Sequence, residues 1–365
     1  MIIGGGLAGL ISGIQLVRAK IPCVLIEKKS YPLHRGCGEY ISNEAVPFLK
    51  HLGLYPEEFS PPQINRFQLS SVTGRHATIP LDLGGFGISR FNFDHFLYKK
   101  AKQEGVDFIL NTEAGQVDFD KDRFVIKTPE KKYEADLVIG AFGKRSKLDM
   151  SLNRNFVGKR SPYAAIKYHI RTDHPDDLIA LHNFEGGYCG ISNVENGHTN
   201  LCYLTHRDKL RKYGNIETLE REILGNNPLL KYIFSNSDFI LDKPEVINEI
   251  SFATKNPVEG HILMTGDAAG MITPLCGNGM AMAIHSSKLV SALAIDFCTG
   301  KIPRHDLEVE YTAQWKKNFS YRLWRGRQIQ KLFGNEMFSN LAVNLALYSR
   351  PVANAIVRST HGDPF

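Results

Sequence analysis

The chain has 365 residues, 43% of them hydrophobic, and a formal net charge of +6. That length allows two domains, or one large domain with an inserted sheet, and the composition excludes a disordered or fibrous chain. The mild charge argues against nucleic acid as a partner, the absence of C-x-x-C spacing argues against zinc and iron–sulfur clusters, and no run approaches the roughly 18–20 apolar residues of a membrane span.

Met1-Ile2-Ile3 reads as a strand, followed by Gly4-Gly5-Gly6-Leu7-Ala8-Gly9, an apolar helix over Leu7–Ala19 and a second strand ending at Glu27. Gly4, Gly6 and Gly9 occupy the fixed positions of G-x-G-x-x-G. The first permits the strand-to-helix turn, the second lets backbone approach a pyrophosphate, and the third lets the helix pack closely on the sheet. The helix N-terminus offers free N–H groups and partial positive charge to the phosphates. Glu27 stands near the expected offset of about 20 residues, where a carboxylate accepts from ribose hydroxyls; this suits FAD or NAD rather than NADP. Only three residues precede the glycines, fewer than the about 5–6 of an ordinary strand, so this strand is either clipped or begins upstream.

Pro32–Ser42 is polar and loop-like and contains Arg35-Gly36-Cys37-Gly38-Glu39. Asn43–Leu52 reads as a helix stopped by Gly53. Phe67–Val72 and His76–Leu81 read as strands about Thr73-Gly74, and Phe93–Gln103 as a helix closed by Gly105. Short strands follow at Asp107–Asn111, Gly115–Asp120 and Arg123–Thr128. Ala135–Ala141 has the apolar run of a strand buried on both faces. From Tyr163 to Thr205 the period changes to two, as in an antiparallel sheet, with strands Tyr163–Thr172, Leu178–Phe184, Tyr188–Val194 and Thr199–Thr205. Arg207–Gly225 is helical and Ile262–Thr265 is a short buried strand. Met280–Cys298 and His305–Phe333 are helices, and Met337–Val357 is apolar but interrupted. Lys316, Lys317, Arg322, Arg325, Arg327 and Lys331 form a basic run that reads first as a solvated helix face; a membrane surface or an acidic carrier is the minority reading.

Gly266-Asp267-Ala268-Ala269-Gly270, continuing through Pro274 to Gly277-Asn278-Gly279-Met280, follows a strand and opens a helix. Asp267 can accept from a sugar or ribityl hydroxyl, and the helix N-terminus can stabilise negative charge on a reduced flavin. With the opening motif, this stretch resembles the FAD-binding flavoproteins of the para-hydroxybenzoate hydroxylase type, a superfamily of aromatic monooxygenases, flavin halogenases and geranylgeranyl reductases. The resemblance runs to about the helix at 280–299. Arg35-Gly36-Cys37-Gly38-Glu39 is most similar to the geranylgeranyl reductase branch, in which a Cys-Gly pair lies close to the flavin.

The resemblance implies an α/β fold: a Rossmann-like FAD-binding domain of the glutathione-reductase type, an inserted antiparallel β-sheet substrate domain and a helical C-terminus. The expected division is 1–65, 87–150 and 256–300 for FAD, 66–86 and 151–255 for substrate, and 301–365 for the C-terminal helices. Gly4, Gly6, Gly9 and Glu27 would hold the ADP half, Gly266 and Asp267 the ribityl–phosphate region, and Pro274, Gly277, Asn278, Gly279 and Met280 the isoalloxazine. Arg35 and Arg90 would contact the cofactor, with Leu7, Ala8, Lys28, Val117 and Gly143 as further contacts, and Cys37 would face the catalytic cavity. Two departures stand out: Phe142-Gly143 replaces the Asp-Gly of aromatic hydroxylases, and Tyr188-Cys189-Gly190-Ile191-Ser192 replaces the aromatic motifs of reductases and halogenases. The expectation is a cytoplasmic FAD-dependent oxidoreductase moving hydride to or from an apolar or carrier-bound substrate, with NAD(P)H or another electron donor and with peripheral membrane contact left open. Oxygen insertion is the alternative, and a non-catalytic flavin- or lipid-binding protein the third reading.

Overall fold

The opening unit forms β1 (Ile2–Ile3), α1 (Leu7–Arg18) and β2 (Val24–Ile26), the two strands parallel. Leu7, Leu10, Ile11 and Ile14 bury one face of α1 at helical spacing. The computed structural model describes residues 1–158, 161–241, 243–248, 250–331 and 333–365. In chain order come β3 (Tyr40–Ser42), α2 (Val46–His51), β4 (Gln63–Ser70), β5 (His76–Gly87) and α3 (Arg90–Gln103), then β6 (Asp107–Ile109). A meander of β7 (Gln116–Asp120), β8 (Arg123–Lys127) and β9 (Lys132–Ala135) leads to β10 (Ile139–Gly140) and α4 (Lys147–Ser151). The period-two region forms β11 (Tyr163–Arg171), β12 (Leu178–Phe184), β13 (Gly187–Val194) and β14 (His198–His206). After them come α5 (Arg207–Tyr213), α6 (Ile216–Glu222), α7 (Pro228–Asn236), β15 (Asp238–Phe239), β16 (Glu245–Ile247), β17 (Val258–Glu259) and β18 (Ile262–Met264). Four helices close the chain: α8 (Gly279–Cys298), α9 (Arg304–Gln330), α10 (Glu336–Tyr348) and α11 (Arg350–Arg358).

Among the described residues these strands make three sheets. The first runs β17-β18-β10-β1-β2-β6 and is parallel except at β17. The second runs β15-β11-β14-β13-β12-β4-β5-β3, with β16 also on β11. It is antiparallel except where β12 meets β4. The β7–β9 meander is the third. α1 packs on α3 and α8, and α8 packs on α9.

Several elements depart from the sequence reading: the expected helix Arg207–Gly225 is split at Gly214 into α5 and α6, where glycine takes φ +80, and three further departures have a clear physical reason. Only Ile139–Gly140 of the expected Ala135–Ala141 strand pairs in the first sheet, because its neighbours β1 and β18 are themselves short. The expected loop at Pro32–Ser42 ends in β3, three buried residues too short to show a period. α7 was not anticipated, although Asn227 caps it and Pro228 stands at its first position, a combination that marks a helix start. α8 reaches the length and mean hydropathy, 1.2, of a membrane span, but half of that stretch is buried in the protein.

Candidate cofactor and active site

The three motif glycines are needed for different reasons. Gly4 has φ +105, and a Cβ there would lie 2.3 Å from the Ala141 carbonyl oxygen; one at Gly9 would lie 2.0 Å from the Gly4 carbonyl oxygen. Both glycines are therefore required by packing. Gly6 is different. Its backbone is ordinary, φ −85 and ψ −173, and a Cβ there would meet nothing nearer than Arg90 Nη2 at 3.6 Å. The space in front of Gly6 is cavity. α1 starts there with no side-chain cap, so its first N–H groups remain for a ligand.

Around this turn the charges are interlocked. Glu27 accepts from the Gly5 N–H at 2.7 Å and the Lys29 N–H at 3.1 Å, and Arg35 Nη2 stands 3.5 Å away. Asp94, fully buried, accepts from Arg90 Nε at 2.6 Å, Arg90 Nη2 at 2.7 Å and Arg35 Nε at 2.9 Å. Burial opposes the charge on Arg90, but Asp94 outweighs it and raises its pKa. Ser89 fixes the approach, since its Oγ caps α3 by accepting from the Asn92 N–H.

The second motif reaches the same cavity from the other end of the chain. Gly266 turns with φ +59 and donates its N–H to Ser286 Oγ at 2.9 Å. Lys255 Nζ donates to the carbonyls of Asp267 at 2.8 Å and Lys144 at 2.9 Å, tying this turn to the loop after β10. Burial pushes the Lys255 ammonium down to about 8. Gly277, at φ +63, and Asn278 lead into α8, whose N-terminus opens on the cavity wall at Gly279 and Met280.

The cavity measures about 630 Å³, within the range of small-molecule and cofactor sites. Its wall contains Gly4, Gly6, Leu7, Ala8, Glu27, Lys28, Arg35, Cys37, Arg90, Gly143, Gly266, Asp267, Pro274, Gly277, Asn278, Gly279 and Met280. Two expected contacts lie elsewhere. Gly9 sits behind the turn, against Gly4. Val117 lies on β7 packed against the apolar core, and Thr112, Glu113 and Ala114 line the wall in that region instead. Asn278 is on the wall, but its Nδ2 is turned to the Thr360 carbonyl at 3.0 Å. Beyond the Cys37 loop the wall becomes apolar, with Phe67, Ile179, Leu181, Tyr188, Met271 and Leu275.

The sequence reading missed what holds the Cys37 loop. Glu39, at φ +56 and 1% exposed, accepts from the Arg90 N–H at 2.8 Å, from His169 Nε2 at 2.6 Å and from Lys167 Nζ. Lys167 Nζ also donates to the Arg35 carbonyl at 3.1 Å, and Asn200 Nδ2 to that of Gly38 at 2.9 Å. β11 and β14 thus grip residues 35–39 from below. Burial pushes the Glu39 carboxyl up, but Lys167 and His169 outweigh burial and hold it below the usual carboxylate range. The available signal was Lys167 and His169, polar residues two apart in a strand otherwise apolar inward. Cys37 is partly buried on the wall, while burial pushes the Cys202 thiol, also on the wall, up to about 12.

An open space before Gly6, an uncapped helix start, paired arginines and a glycine-led second helix together fit a dinucleotide. The FAD binding domain family matches residues 1–308. The chain belongs to that family. FAD is its cofactor, and the protein is an FAD-dependent oxidoreductase, as the resemblance of Gly4–Gly9 and Gly266–Met280 implied. Relatives include conditioned medium factor receptor 1 of Dictyostelium discoideum, 24% identical, covering 96% of this chain and 71% of the relative. Digeranylgeranylglycerophospholipid reductase of Methanocaldococcus jannaschii is 26% identical, covering 88% of this chain and 83% of the relative. Among solved structures, the geranylgeranyl bacteriochlorophyll reductase-like protein of Thermoplasma acidophilum aligns with TM-score 0.76 at 17% identity, covering 100% of this chain and 95% of that one. Halogenase PltM, solved with phloroglucinol and FAD, aligns with TM-score 0.79 at 14% identity, covering 98% and 81%. At these identities the structural likeness speaks for the fold.

Proposed function

We propose that this oxidoreductase reduces or dehydrogenates a carbon–carbon bond in an apolar, prenyl-type substrate. The observation that carries the reading is the apolar wall beyond the Cys37 loop, where Phe67, Ile179, Leu181, Tyr188, Met271 and Leu275 offer a surface without a charged side chain. The reductase name of the Methanocaldococcus relative supports the same substrate class. FAD, when bound, supplies the hydride chemistry. Gly6 and the start of α1 would hold its diphosphate, Asp267 its ribityl region, and the N-terminus of α8 its ring. The apolar wall orients the substrate and excludes water. Cys37 holds a proton at Sγ and delivers it to the carbon that does not receive hydride; the thiolate is then reprotonated from water. Phe142, where hydroxylases have Asp, weakens the case for a hydroxylase-like NAD(P)H cycle.

The test is anaerobic. FAD-loaded protein is reduced with dithionite, then offered a polyprenyl lipid in detergent. Return of the oxidised-flavin spectrum with a saturated product is expected. Reoxidation by oxygen alone, with a hydroxylated product, would replace this reading with the monooxygenase one.

A further inference from the structure

Lys144 follows β10 and reaches the cofactor cavity, and among the described residues its Nζ makes no hydrogen bond and no ion pair. Its backbone is fixed, because Lys255 Nζ holds the Lys144 and Asp267 carbonyls together. The braced loop therefore holds Lys144 on the wall of a site suited to an anionic ligand. Burial lowers its pKa, and Asp267 is the chief group opposing that, with Cys37 and Cys202 next and Arg90 acting with burial. Lys144 thus shares the cavity wall with Asp267, Cys37, Cys202 and Arg90.

Charge balance gives this position a purpose. Arg35 and Arg90 share Asp94, and Arg35 also faces Glu27, so the two guanidiniums at the Gly6 turn are offset by two carboxylates. A doubly negative diphosphate placed before Gly6 meets the partial charge of α1 but little net charge from these pairs. An unpaired ammonium whose burial is unfavourable gains most from such a ligand. We propose that Lys144 is a cofactor-binding residue whose ammonium pairs with the diphosphate of bound FAD. The site then holds two kinds of cation. The arginines shape the turn, and Lys144 adds its charge to a wall that also carries Lys28, Lys29 and Arg145.

The experiment uses the full-length apoprotein and measures binding of FAD, ADP and riboflavin by fluorescence titration for wild type, Lys144→Met and Lys144→Arg. Loss of one charge-assisted contact should weaken FAD and ADP alike in Lys144→Met, by roughly tenfold or more. Riboflavin, which has no phosphate, should bind unchanged, and Lys144→Arg should restore most of the FAD affinity. Circular dichroism melts of the apoproteins establish that each variant is folded, which is expected because the Lys144 ammonium makes no hydrogen bond and no ion pair among the described residues. If FAD and riboflavin weaken equally, Lys144 serves the ring or ribityl chain and the diphosphate assignment is overturned. If no ligand is affected, it is overturned as well.

Discussion

Substitution separates the roles of the three motif glycines. Gly6→Val leaves an allowed backbone and adds a side chain only to the cavity, so the apoprotein should fold and melt as wild type while retaining no FAD. Absorbance of the purified variant at the flavin bands checks this. Gly9→Ala, by contrast, forces a methyl group against the Gly4 carbonyl, and overpacking of that kind costs about 1–3 kcal/mol or more. Asp267→Ala should weaken FAD by about 1.5–3 kcal/mol, the value of one hydrogen bond to a charged group, read by titration of the apoprotein. At Cys37, serine keeps the shape but is a far weaker acid than a thiol. Cys37→Ser should bind FAD normally, be reduced normally by the electron donor, and return hydride to substrate about 100-fold more slowly. Equal rates by stopped-flow absorbance would make Cys37 a packing residue. The glycines and Asp267 were legible in the sequence because motif chemistry is local. Lys144 was not, because an unpaired lysine is identified only by what fails to surround it.

At the scale of elements, the grip of β11 and β14 on the Cys37 loop concentrates charge in a dry place. Removing one partner of a buried pair costs about 3–5 kcal/mol, so Lys167→Met should destabilise the protein by about that amount, measured by urea denaturation. Adding Glu39→Gln to Lys167→Met should recover part of the loss, since the orphaned charge is then gone. The pH dependence follows from the lowered Glu39 pKa. The stabilisation is complete above the unfolded value, near about 4.3, and is lost as pH falls through the lower folded value. Urea midpoints should therefore fall more steeply on acidification in wild type than in Glu39→Gln within that window. The strands of this sheet were readable from their period. Their purpose was not, because Lys167 and His169 face a loop that lies 128 and 130 residues earlier in the chain.

Across the whole molecule, the cavity wall joins both large sheets, from Ile3 and Ile26 in one to Ile179 and Ile191 in the other. A ligand filling it holds the two together. FAD at about 100 times its Kd should add about 2.7 kcal/mol to stability, seen as a concentration-dependent rise in Tm that Gly6→Val lacks. The alternation of helix and strand around the two glycine motifs pointed to the architecture. The two-residue strands β1 and β10 fell below the length at which a pattern is visible, and only their neighbours in the sheet define them.

That sheet also sets an order of events in time. β10 lies between β1 and β18, pairing Ile139 with Ile2 on one side and with Leu263 on the other. While the chain emerges from a ribosome, the opening strand, its helix and β10 can meet early, yet the edge of β10 stays bare until Ile262–Met264 has been made. The Asp267 half of the cofactor site is born later still. Until then β10 keeps an exposed edge, the condition under which chains aggregate, and FAD can bridge both halves of its site only once the stretch after β18 has been made.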